Sequence, residues 1–235
     1  MTKKIDIMGI ELDNYTVREA VMQIETYLSD DMLNTVESVS MRMLIEAEND
    51  PVVRGVLSSL DLAVIGEKEI IQAAGVPTMQ RMQETDENDF TYEFFKRIER
   101  NKKSVFLLGE TEHRLAGIKR ELKEAFPKLV FAGEYALENC VGDLEAVINE
   151  MNAMTPDVIV SILPTPLQEH FFAEHKDKMS ATIWYGMGEF GIHGRKNGIG
   201  SFFRNRMHLG KLKNSMSKYQ SQKLEATERG EDEAQ

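Results

Sequence analysis

Apolar positions along the chain switch between two periods, and the switches mark out the elements. Ile5, Ile7, Met8, Ile10 and Leu12 run or alternate around Gly9, the pattern of a short hairpin. Thr16 can cap a helix whose apolar residues Val17, Ala20, Val21, Ile24 and Leu28 keep the 3.6-residue period. Thr35, Val36 and Val39 read as strand, Met41 to Ala47 as helix, and Pro51 suits a helical first turn. A short strand ending at Gly66 is followed by a helix stopped by Gly75. The run 83–89, which is mostly acidic and polar, is expected to be a loop leading to a helix from about Phe90 to Asn101.

From Lys103 the alternation becomes regular. A buried-strand run ends in Gly109, an amphipathic helix stops before Pro127, and strands near 128–135, 157–163 and 181–190 alternate with helices near 142–154 and 166–179. Strands alternating with helices of this length predict parallel βαβ units, hence an α/β fold built on a doubly wound sheet. Ligands of such sheets bind at the carboxyl ends of the strands, which places the loops after Leu108, Leu163 and Tyr185 on one rim. There the corner Pro164-Thr165-Pro166 delivers Gln168 and Glu169 together to the start of a helix.

Composition narrows the class. The 235 residues suffice for one large domain with a real core, and 42% hydrophobic with 29% charged residues is ordinary for a soluble protein. Asp6, Glu11 and Asp13 interrupt any leader-like apolar stretch, and no apolar run approaches the length of a membrane span. Cys140 is the single cysteine, so an intrachain disulfide and a cysteine-pair zinc site are excluded, and a reducing cytoplasm is expected. The net charge of −11 is uneven: Arg195 to Leu224 carries eight Lys/Arg and no acid, and residues 225–235 carry a net −4, leaving −15 on residues 1–194. Three parts are therefore expected: a main domain over 1–194, a basic appendage over 195–224 and an acidic, disordered tail over 225–235.

On a helix from Ile199, Phe202, Phe203, Met207, Leu209 and Leu212 supply an apolar face flanked by Arg204, Arg206, Lys211 and Lys213. Such a helix suits an anionic membrane surface, and equally suits packing on the acidic body; both readings stand. Nucleic acid is not expected, because the body is strongly acidic and few aromatics interleave with the basic residues.

Candidate chemistry lies mostly in glycines and corner residues. Gly109 precedes a helix and could leave backbone N–H groups for an anion, or be a plain strand-to-helix turn. Six glycines from Gly186 to Gly200 allow close backbone approach, or a flexible link to the appendage. The histidines show no metal-ligand spacing and read as helix-surface residues.

Taken in order, the opening hairpin, the "V..V" strand with its polar loop in "NTVESVS", "LDLAVIG", Arg81, "VFLLGE", the Pro164–Glu169 corner and "GMGEF" resemble the WecG/TagA/CpsF glycosyltransferase family over residues 4 to 206. That resemblance implies a Rossmann-like α/β domain with a basic, membrane-docking appendage, acting without metal or other cofactor. It implies transfer of a sugar such as N-acetylmannosamine from a UDP donor to a polyprenyl-diphosphate-linked acceptor, in cell-wall or surface polysaccharide synthesis. It further implies a peripheral location at the inner face of the membrane and leaves a homo-oligomer open.

Carried over by position, the resemblance assigns Gln168 and Glu169 to the donor, with Gly109, Gly186 and Gly188 nearby. Arg81 and Arg204 fall to the diphosphates, Ser38 and Ser40 to the sugar, and Arg206 is a further donor- or substrate-binding candidate. The family's proposed general base, an aspartate, falls on Gly66, and the neighbouring Glu67 becomes the candidate base. Because several pocket positions differ at once, a non-catalytic nucleotide-binding or regulatory protein is the competing reading.

Overall fold

The computed structural model describes residues 3–192 and the backbone of 199–232, with side chains of that last segment described from 206 to 226. Eight strands follow in chain order: β1 (Lys4–Ile7), β2 (Ile10–Asp13), β3 (Asn34–Val39), β4 (Leu62–Ile65), β5 (Ser104–Gly109), β6 (Val130–Ala136), β7 (Val158–Ser161) and β8 (Ile183–Gly186). They form one sheet in the order β1-β2-β4-β3-β8-β7-β5-β6. Only β1 runs antiparallel, in the hairpin with β2; all other neighbours pair parallel. Met8 and Gly9 turn the hairpin with φ of 56° and 80°, and Asp6 Oδ1 accepts the Gly9 N–H at 2.7 Å.

The helices are α1 (Val17–Tyr27), α2 (Met41–Glu46), α3 (Pro51–Ser58), α4 (Lys68–Ala73), α5 (Met79–Asp86), α6 (Asp89–Arg100), α7 (Glu112–Ala125), α8 (Glu145–Ala153), α9 (Leu167–His175) and α10 (Ile199–Asp232). Thr16 and Glu19 close a capping box on α1, and Asp50 caps α3 ahead of Pro51. The two-residue period sends alternate side chains to opposite faces of the sheet. Val105, Leu107, Ile183 and Tyr185 meet α1, α6 and α7, whereas Phe106, Leu108 and Trp184 meet α8 and α9. The α/β, Rossmann-like expectation holds.

Two expectations differ. The run 83–89 is not a loop, because α5 continues to Asp86 behind the Thr78 cap and is held by the Arg81–Glu84 and Lys68–Asp86 ion pairs. His175 is not on the surface: it is 2% exposed, with its ring 5.0 Å from that of Phe171. The last helix, α10, runs unbroken from Ile199 to Asp232.

The appendage helix docks on the body. Leu209, Leu212, Met216 and Tyr219 recur at three- and four-residue spacing and pack on the core around β1, β2, α2 and α4. Ser215 donates to Glu48 at 2.6 Å and Lys218 approaches the same carboxylate at 3.6 Å. The apolar face expected to meet a membrane is thus turned inward at Leu209 and Leu212, while Arg206, Met207, Lys211 and Lys213 stay exposed. No described helix is long and apolar enough to cross a membrane. Leu212 is fully buried, so Leu212→Ala should lower stability by about 2–5 kcal/mol in urea unfolding.

Candidate active site

The carboxyl ends of β3, β4 and β8, and the corner after β7, surround a cavity of about 320 Å³. Its walls are Ser38, Ser40, Arg42, Met43, Glu67, Arg114, Thr165, Gly188, Glu189, Phe190 and His208. The volume lies at the small end of ligand cavities. A larger, open depression of about 710 Å³ between α1 and α6 lies on the flank of the sheet and is edged by the Glu25 ion pairs with Arg97 and Arg100. The chemistry-bearing groups are at the strand ends.

Each wall residue is held by the local fold. Ser38 Oγ is within 2.9 Å of Tyr185 OH, which lies 2.7 Å from Thr91 Oγ1, so a buried relay of hydroxyls fixes the end of β3. Burial pushes the Tyr185 phenol up to about 12, keeping it a donor. Ser40 caps α2 by accepting the Met43 N–H at 3.2 Å. Glu67, 5% exposed, accepts the Met41 N–H at 2.6 Å, so a carboxylate lies against the start of α2 and faces the cavity.

Positive charge comes from two arginines that sequence reasoning passed over. Arg114 sits in the first turn of α7 and is braced by Nε to Ile162 O at 3.2 Å and Nη2 to Gly188 O at 2.8 Å. Two of its five N–H donors are committed to these carbonyls. Arg42, in the first turn of α2, pairs with Glu189 at 3.1 Å with both groups nearly half exposed. Their positions, one turn past a rim strand, are a signal the sequence carries. His208 reaches the cavity from α10, and only the docking of that helix puts it there.

The candidate residues named from sequence separate into groups. Ser38, Ser40, Glu67 and Gly188 come together in the cavity wall. Gln168 and Glu169 are 1% and 0% exposed, behind the wall rather than in it, and Gly186 packs against Glu37 and Gln168. Arg81 stands elsewhere: it is 3% exposed, bonded to Glu84 at 2.9 Å and near Asn14 at 3.5 Å. Gly109 is required by packing, because a Cβ there would fall 2.8 Å from Leu115 and 3.2 Å from Ile162. Arg206 is exposed on α10 and does not line the cavity, and the Arg204 side chain lies outside the described residues.

Gly66 has a specific occupant above it. A Cβ at this position would lie 2.6 Å from Phe190 Cζ and 3.0 Å from Val39 O. The phenyl ring therefore fills the space into which a side chain at 66 would extend. Gly66→Ala should cost about 1–3 kcal/mol through this overlap. In a double-mutant cycle with Phe190→Ala the cost should shrink, giving a coupling of about 0.5–3 kcal/mol by chemical denaturation.

Comparison with known proteins places this cavity in context. Residues 5–190 match the model of the glycosyl transferase WecG/TagA/CpsF family. The chain is 25% identical over 198 residues to the N-acetylglucosaminyldiphosphoundecaprenol N-acetyl-beta-D-mannosaminyltransferase of Staphylococcus aureus strain NCTC 8325 / PS 47, covering 80% of this chain and 74% of the relative. The same-named protein of strain MRSA252 is 24% identical over the same shares. With the match spanning most of the domain, the chain belongs to the WecG/TagA/CpsF glycosyltransferase family.

Proposed function

We propose that this protein transfers an N-acetylmannosamine-type sugar from a UDP donor to a polyprenyl-diphosphate-linked acceptor in cell-wall or surface polysaccharide synthesis. The observation that carries this reading is one cavity at the strand ends in which a carboxylate, Glu67, faces two arginines, Arg42 and Arg114. Sugar transfer needs both. As the acceptor hydroxyl attacks the anomeric carbon, its proton passes to Glu67, the bond to the donor diphosphate breaks, and the departing charge falls to the guanidinium groups. The Met41 N–H holds one Glu67 oxygen at 2.6 Å and so fixes the carboxylate's orientation. Ser38, Ser40 and Thr165 offer hydroxyls to the sugar.

A second reading is favoured by Phe190. With its ring above Gly66, the position that the family resemblance assigns to the base carries no acid, which suits a nucleotide-binding or regulatory protein. Turnover separates the two. With UDP-N-acetylmannosamine and a soluble lipid-diphosphate acceptor analogue, Glu67→Gln should lower kcat by about 10²–10⁴-fold. UDP binding without UDP release in the wild type, and no effect of Glu67→Gln, would establish the regulatory reading.

The lipid-linked acceptor calls for a membrane approach. Arg206, Lys211 and Lys213 are exposed on α10, and each contributes about 1 kcal/mol near an anionic surface. Replacing all three by Glu should abolish co-sedimentation with anionic liposomes and leave neutral-liposome behaviour unchanged. Undiminished binding would remove α10 from this role.

A further inference from the structure

Behind Thr165, two carboxyl groups and a carboxamide are packed out of reach of solvent. Glu37 on β3 and Glu169 on α9 are both 0% exposed, and Gln168 is beside them. Gln168 Nε2 donates to Glu37 Oε1 at 3.4 Å, and Thr165 Oγ1 donates to Glu169 Oε1 at 3.0 Å. The remaining oxygens, Glu37 Oε2, Glu169 Oε2 and Gln168 Oε1, have no hydrogen-bond partner among the described residues. Trp184 Nε1 lies close to Glu37 but outside hydrogen-bond geometry. The lack of a side chain at 186 admits the group: a Cβ there would fall 2.6 Å from Glu37 Cγ and 2.7 Å from Gln168 Nε2.

Among the described residues, such a cluster is short of donors and of positive charge. From β3, β8 and α9 it is faced by Glu37, Trp184, Gln168 and Glu169, none of them cationic. Arg42 on α2 and His170 on α9 act on Glu169 from outside, and each is engaged by another acid, Glu189 and Asp50 respectively. Two ionised carboxylates here would repel across a dry interior. One added proton turns an orphaned acceptor into an O–H donor and removes one of the two charges.

We propose that Glu37 and Glu169 hold a single proton between them, and that this proton fixes Gln168 and, through Glu169, the Thr165 hydroxyl in the cavity wall. Glu37 and Glu169 are thereby positioning residues of the site. The role of the wall rests on the transferase reading; the shared proton does not. Burial, reinforced by the Glu169 charge, holds the Glu37 carboxyl well above the ordinary carboxylate value of 4.5, and burial raises Glu169 as well. A raised carboxyl binds its proton in the native chain at pH values where the unfolded chain has lost it. The stability it contributes is therefore complete below the ordinary carboxylate range and falls as pH rises toward the raised value.

Two readouts test this. Glu37→Gln keeps the shape and removes the titration, so the ratio of wild-type to variant unfolding constants should climb by up to tenfold per pH unit above about pH 5. Glu169→Gln should reproduce the effect and serves in its place if the first variant fails to fold. Trp184, the chain's one tryptophan, should change emission as the wild type loses the proton and stay constant in the variant. A ratio that does not depend on pH overturns the shared proton. For the positioning role, UDP affinity of the wild type should fall on the alkaline side, that of Glu37→Gln should hold steady, and Thr165→Val should weaken binding severalfold in both. A pH dependence of UDP affinity that persists unchanged in Glu37→Gln overturns that role. If UDP binds neither protein, the transferase reading and the positioning role fall together, while the unfolding ratio still decides the proton.

Discussion

The parallel pairing of β3 with β8 joins two four-stranded halves whose partners are about 150 residues apart in the chain, Asn34 meeting Ile183 and Glu37 meeting Gly186. On one side lie β1, β2 and β4, and on the other β7, β5 and β6. Because side chains alternate along a strand, this register decides at once which residues of β3 face the relay to Tyr185 and which face α9. A slip of one residue would exchange Ser38 with a neighbour and lift Glu37 off Gly186. The cavity wall and the carboxyl pair behind it are two outcomes of one ladder.

Apolar burial, more than charge, explains why α10 lies where it does. A body of net −15 attracts a helix rich in lysine and arginine, but exposed pairs such as Lys218 with Glu48 contribute little. The buried stripe through Leu212 fixes the register, and that register delivers His208 to the cavity. Docking the appendage is thus part of building the site.

Much of the fold was legible because the sheet is buried on both faces: runs such as Val105–Leu108 and Val158–Ser161 announce themselves, and Pro and Gly punctuate them. α5 was missed for the opposite reason. Of its residues only Arg81 is buried, so no apolar period marks it, and it is held by charged pairs that composition reads as loop. The site was legible in part. Ser38, Ser40 and Glu67 came from the family resemblance and do line the cavity, but the burial of Gln168 depends on the room left by Gly186 about 18 residues further along, which no local pattern encodes. Arg81 was carried over from the family resemblance, whereas packing made it an internal partner of Glu84.

The contact between Phe190 and Gly66 also constrains which neighbours of this sequence are reachable. An acid introduced at 66 meets the ring before it can meet a substrate, so the exchange cannot start there. Shrinking residue 190 first opens the space and makes the second change tolerable. The two positions therefore have an order of substitution, and the present pair acts as a ratchet that keeps any side chain out of position 66.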